Sequence, residues 1–131
     1  MNMEKKILTM KLLKEKYVVC RLDENELIPE WVQSGDFFSI TRTAEELSMI
    51  CSEENILEDI KCEKDWRILK VEGPLDFSLI GILASISSIL AKREISIFAI
   101  STYDTDYILV KNNDIDNTIE ALKSEKYEII Y

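Results

Sequence analysis

The chain has no histidine, and its three cysteines, Cys20, Cys51 and Cys62, form no C-x-x-C pair. Zinc ligation of the Cys/His kind is therefore not expected, nor is a Ser-His-Asp or Cys-His nucleophile. Cys20 and Cys51 sit inside apolar strand-like runs, where cysteine reads as a small core residue. Positive charge is scarce: 16 Lys and Arg stand against 25 Asp and Glu, for a net charge of −9. The deficit is shared, with 8 basic against 13 acidic residues in 1–62 and 8 against 12 in 63–131. Neither half offers the basic face that phosphate backbones require, so no nucleic acid is expected as a partner. No apolar run approaches membrane-spanning length, so no membrane is expected either. Thr9 and Lys11 interrupt Ile7–Leu13, which leaves no core for a secretion signal. A reduced, cytoplasmic setting fits these features.

What is present is globular in composition, with 47% hydrophobic and 31% charged residues over 131 positions. That length fits one ordinary domain or two very small ones sharing a core. The organising stretch is Ile95–Lys111, where two runs rich in Ile, Phe, Tyr and Val flank the polar Ser101–Asp106, as in a β-hairpin. Phe38–Cys51 aligns with Phe98–Lys111 without a gap at a shift of 60, setting Phe38 on Phe98, Ile40 on Ile100, Thr41 on Ser101 and Ile50 on Val110. The chain thus reads as one hairpin used twice.

Taken in order, Lys5–Leu13 alternates as a first strand with Leu8, Met10 and Leu12 on one side, and Tyr17–Leu22 is a buried strand. Ile28–Gln33 has room for about one helical turn, with Pro29 near its start. Ser52–Lys64 reads as an acidic connector with a short helix near Ile56. Trp66–Val71 is a strand ended by Gly73-Pro74, and a helix is expected from Asp76 to Lys92, capped by Asp76 or Ser78. Leu79, Ile82, Leu83, Ile86, Ile89 and Leu90 form its core stripe. Asn113 or Asp114 opens a second helix with Ile115, Ile119 and Leu122 inward, and Tyr127–Tyr131 closes as a strand. The order β-α-β-β-α-β is a split βαβ unit. Tyr17–Asp23 matches Trp66–Glu72 at a shift of 49 while the hairpins match at 60, so the first half is about three helical turns short where the second has its long helix. The domains expected are a trimmed unit over 1–62 and a full one over 63–131, the first dependent on the second.

Val71–Ile86, reading V-E-G-P-L-D-F-S-L-I-G-I-L-A-S-I, and I-S-I-F-A-I-S-T-Y-D-T-D-Y-I-L-V-K together resemble bacterial tandem ACT-domain proteins. These are relatives of the aspartate kinase regulatory domains and of the animal cytosolic arginine sensors called CASTOR. V-C-R-L-D, I-P-E-W, F-F-S-I-T-R-T and E-E-L-S extend the resemblance to the first half, from about Tyr17 onward. One departure is Arg93-Glu94, where the family pattern has a glycine near the helix end. The resemblance implies an α+β fold of tandem ferredoxin-like ACT units, the first with a reduced helix, with antiparallel sheets covered by helices on one face. It also implies pairing with other ACT folds, hence a homodimer, and a small effector, often an amino acid, bound near the first strand–helix loop. It brings neither a catalytic activity nor a cofactor.

In a β-α-β-β-α-β unit the loop Glu72–Ser78 and the tip Ser101–Asp106 lie at one end of the sheet. Gly73 lets a ligand approach the backbone, while Glu72, Asp76 and Asp104, with Asp106 beside them, can receive an ammonium or guanidinium group. Ser101 and Thr102 add hydroxyls. Residues 71–91 and 94–110 contain no Lys or Arg, so neutralisation must come from elsewhere. Each residue also has a plainer use: Asp76 as an N-cap, Asp104 as a turn former, Ser101 and Thr102 as partners of hairpin backbone groups, Trp31 and Trp66 as packing residues. Two rival functions stand beside the ligand-binding one: a protein-interaction module with a vestigial site, and an enzyme using paired carboxylates.

Overall fold

A computed structural model describes residues 8–57, 59–72 and 81–131. They form strands β1 (Thr9–Leu12), β2 (Tyr17–Leu22), β3 (Ser39–Arg42), β4 (Leu47–Ser52), β5 (Lys61–Val71), β6 (Phe98–Ser101), β7 (Asp106–Lys111) and β8 (Glu128–Ile130). The helices are α1 (Ile82–Ala91) and α2 (Ile115–Ser124). The chain divides into two compact units, Glu15–Trp66 and Met1–Lys14 with Arg67–Tyr131.

The second unit carries the expected order β5-α1-β6-β7-α2-β8. Strand β7 pairs with both β5 and β6. A plain ferredoxin-like order would then place β8 against β5, yet β1 stands between them. It runs antiparallel to β5 through Met10↔Val71 and parallel to β8 through Met10↔Ile129. Met10 is fully buried, and Leu12 packs against the same core. The alternation in this strand therefore serves the second unit's core, beside Leu69, Val71, Ile86, Leu90, Ile108, Val110, Ile119 and Leu122.

The first unit is a reduced version of the same plan, with strand order β3-β4-β2-β5 and every neighbour antiparallel. Where the second unit has helices, this one has single 3-10 turns at Glu30–Val32 and Glu53–Asn55. Its core gathers Val18, Cys20, Val32, Leu47, Met49 and Cys51, with Trp31 packed against it. The fourth strand of this unit is the start of β5, which runs on as the first strand of the other. Lys61–Lys64 is thus strand rather than connector. Its charged residues are largely exposed, which hid it among loop residues. A register shift opposite Tyr17 and Val19 marks a bulge, where Asp65 has φ 66° and its amide donates to Glu53 Oε2 at 2.6 Å.

The repeated hairpin is real but its register differs by one. Residue 39 falls on 98 and residue 47 on 106, a shift of 59. Thr43 then coincides with Thr102, and the turns match bond for bond. Thr43 N donates to Glu46 O at 2.9 Å, and Thr102 N to Thr105 O at 2.8 Å. Each threonine hydroxyl also accepts from the amide three residues on, at 3.1 and 3.2 Å. The shift of 60 maximised apolar identities, but turn chemistry fixes strand register.

Helix α1 starts later than expected. Gly81 has φ 82°, a left-handed conformation that helical backbone cannot pass through, and it occupies the N-cap without a side-chain bond. Asp76, Ser78 and Leu79 lie outside the described residues, whereas Ile82, Leu83, Ile86, Ile89 and Leu90 all face the core as expected. At the other end Ile95 N donates to Leu90 O at 3.0 Å and Glu94 N to Ala91 O at 2.9 Å, the bonds of a Schellman cap. The left-handed residue of that cap is Glu94, with φ 58°, at the place where glycine was expected. A left-handed non-glycine residue costs roughly 1–2 kcal/mol, of which glycine's looser unfolded state takes back about 0.4–1 kcal/mol. Glu94→Gly is therefore expected to stabilise the fold by about 0.5–1 kcal/mol. An unchanged or lowered urea midpoint would refute this.

Candidate functional site

The end of β5 and the β6–β7 turn meet through one side chain. Thr105, only 5% exposed, donates its hydroxyl hydrogen to the carbonyl of Val71, the last residue of β5. The next residue, Glu72, is fixed from the opposite side, where its amide donates to Thr9 O in β1 at 2.8 Å. The end of β5 is thus held between the turn and the inserted strand. A two-residue step along a strand keeps side chains on one face, and Lys70 Nζ approaches Glu72 Oε2 to 3.3 Å. The geometry is that of an ion pair without a hydrogen bond, since the buried Oε2 accepts none from the described residues. Lys70 lies one residue outside the stretch empty of basic side chains and offsets the Glu72 charge.

The turn itself uses most of its polar atoms internally. Ser101 Oγ donates to Asp106 Oδ1 at 2.6 Å, and Thr102 Oγ1 donates to Thr105 O at 3.0 Å while accepting from Thr105 N. Asp104 is exposed and makes no hydrogen bond or ion pair with the described residues, and Tyr103 beside it is 90% exposed. Of the six residues singled out from sequence, Glu72, Ser101, Thr102 and Asp104 are thereby placed: Glu72 at the strand end, the other three on the turn that Thr105 ties to it. Gly73 and Asp76 lie outside the described residues.

The equivalent place in the first unit is occupied by the chain's own arginines. The Arg42 guanidinium donates to the carbonyls of Glu24 and of Glu26, the latter at 2.8 Å, and Arg21 donates to Glu45 O at 3.0 Å and pairs with Asp23 at 3.4 Å. Both cations are engaged with the chain itself. A shallow cleft over the C-terminal ends of α1 and α2 is lined by Ile89, Lys92, Arg93, Ala121, Ser124 and Glu125. It contains none of the residues expected to bind a ligand, and its Arg93 is bonded to Asn117 at 2.8 Å and Glu120 at 3.2 Å.

Among the described residues no helix is long and apolar enough to cross a membrane. A family model described as ACT domain matches residues 61–124, and a second, describing an N-terminal domain, matches residues 15–59. A crystal structure of a protein from Agrobacterium tumefaciens is 36% identical and has a TM-score of 0.90, covering 96% of this chain and 94% of that one. The regulatory subunit of aspartate kinase from Thermus thermophilus, at 10% identity, shares the fold with a TM-score of 0.60 over 88% of this chain and 95% of that one. The bovine cytosolic arginine sensor for mTORC1 subunit 1 is 31% identical over 100 residues, 68% of this chain. The chain spans 63% of the human protein CASTOR3P and 30% of that bovine sensor. The ferredoxin-like strand order of each unit, the ACT-domain match and these relatives agree: the chain belongs to the ACT-domain family.

Proposed function

We propose that this chain is a non-catalytic regulatory protein that binds a small molecule, an amino acid, at the end of β5 beside the β6–β7 turn. The observation that carries this reading is the pair of opposite charges there, Lys70 and Glu72 at 3.3 Å, with Asp104, which has no partner among the described residues, on the turn that Thr105 ties to the same strand. An amino acid offers the complementary pair, an ammonium and a carboxylate, and hydrogen bonds to charged groups are the strong ones. Lys70 receives the carboxylate, Glu72, Asp76 and Asp104 the cationic groups, and Gly73 gives access to the backbone. The ACT-domain match and the named arginine sensor support a regulatory role of this kind. The word cytosolic in that relative's name supports a cytoplasmic location.

A thermal-shift screen of the free amino acids tests the reading, since a ligand at 100 times its Kd stabilises by about 2.7 kcal/mol. With a ligand in hand, Asp104→Asn is expected to weaken binding by about ten- to a hundred-fold, a charged hydrogen bond contributing about 1.5–3 kcal/mol, without changing the urea midpoint. Asp76→Asn and Gly73→Val belong in the same calorimetric series, with Lys70→Met. Unchanged affinity in all four would place the site elsewhere, and a screen without any shift would favour the interaction-module reading.

We further propose a homodimer. Strand β6 pairs only with β7 among the described strands, and its residues Phe98 and Ala99 are exposed. Ala84 and Ala91 on α1 are exposed as well, small enough for close approach of a second helix. Light scattering at micromolar concentration should report twice the chain mass, and a monomer there would reject the dimer.

A further inference from the structure

All three cysteines of the chain converge in the first unit. Cys51 lies on β4, Cys20 on β2 and Cys62 on β5, three adjacent strands of one sheet. Cys20 stands directly opposite Cys62, and Val18, two residues before Cys20 on the same face, stands opposite Cys51. The three side chains therefore share the face that packs into the first unit's core. Cys20 and Cys51 are 1% and 0% exposed, whereas Cys62 is only half-buried.

We infer that Cys20 and Cys62 form an oxidant-responsive pair that a peroxide converts to a cross-strand disulfide, entered from Cys62. Residues directly opposite on antiparallel strands have Cα atoms about 4.5–5.5 Å apart, inside the roughly 4.4–6.8 Å that a disulfide spans. Cys51 is the diagonal neighbour of Cys20, at about 7–8 Å, which is too far to bridge without moving backbone. Hydrogen bonding to Cys51 first, and burial second, push the Cys20 thiol up and keep it protonated. Cys62 is the sulfur that meets the oxidant, because oxidation follows exposure and it alone of the three is not fully buried.

The chemistry closes without a cofactor. Hydrogen peroxide transfers one oxygen to the Cys62 sulfur, giving a sulfenic acid and one water. The Cys20 sulfur then displaces the sulfenic hydroxyl, which leaves with the Cys20 proton as a second water as the S–S bond forms. The two thiols lose two electrons and the peroxide gains them. The product clamps β2 to β5, the strand that runs on into the ACT-matched residues.

The test is titration of the full chain with hydrogen peroxide, read by intact mass, non-reducing peptide mapping and melting temperature. The expected result is loss of two hydrogens, a Cys20–Cys62 linked peptide, and a raised melting temperature that dithiothreitol reverses. Cys51→Ser should behave alike, and Cys20→Ser should accumulate a Cys62 sulfenic acid trapped by dimedone. Cys62→Ser changes only the half-buried residue and should form no disulfide. A Cys20–Cys51 link, a sulfenic acid that persists at Cys62 in the unaltered chain, or no reaction at Cys62 would each overturn the inference.

Discussion

Removal of residues 1–14 is expected to abolish cooperative folding of the second unit. Strand β1 is an interior strand there, bonded to β5 on one side and β8 on the other. Its loss would leave a gap one strand wide, with neighbouring strands normally about 4.8 Å apart. Backbone groups on both exposed edges would then lack partners inside a sheet. Met10 alone, fully buried, is worth about 2–5 kcal/mol on truncation to alanine. Total stability of a domain this size is about 5–15 kcal/mol, so losing the whole strand exceeds what the unit can absorb. A fragment of residues 63–131 lacks the same strand and should fail in the same way. Urea unfolding followed by circular dichroism decides the matter. The volume-conserving Met10→Leu, expected to cost less than about 1.5 kcal/mol, separates side-chain from strand effects. A truncated chain that unfolds at the full chain's midpoint would show β1 to be dispensable.

Thr105→Val is expected to cost about 1–3 kcal/mol, because it keeps the shape of a buried side chain while removing its hydrogen bond to the carbonyl of Val71. It also unties the turn that carries Asp104 from the strand that carries Lys70 and Glu72. The variant should therefore weaken the ligand found by the amino-acid screen as well as the fold. The companion Thr102→Val removes hydroxyl bonds at the exposed tip, where water replaces them, and surface changes of that kind usually stay within about 0.5 kcal/mol. Equal losses in the two variants would mean that the Thr105 bond has no special part in holding the junction.

Much of the second unit was legible because its elements have clear periodicity. The apolar stripe of α1, the inward Ile115, Ile119 and Leu122 of α2, and the alternating β6–β7 hairpin each announce their own element and its buried face. The missing glycine after α1 was legible too, though its consequence was not. The left-handed backbone at Glu94 shows that the cap persists without the residue that favours it. Less could be read at the candidate site. Topology brought Glu72 and the turn to one end, but not the roles of Thr105 and Lys70. A threonine within a polar turn carries no mark of burial, and an ion pair across one strand face requires knowing where that strand stops.

Local sequence thus determined most of the segments that form strands and helices, though not the start of β5 or of α1, that a hairpin occurs twice, and to which family the chain belongs. These follow from side-chain periodicity, turn residues and motif, all of which are properties of short stretches. Only the tertiary structure decided that β1 inserts between β5 and β8, that β5 serves both units, that the hairpins match at the threonine of the turn, and that the three cysteines converge. An alternating strand shows which of its faces is apolar but not which strand it will join. Pairing depends on the backbone edges left open by the rest of the fold, and those exist only once the distant segments have come together.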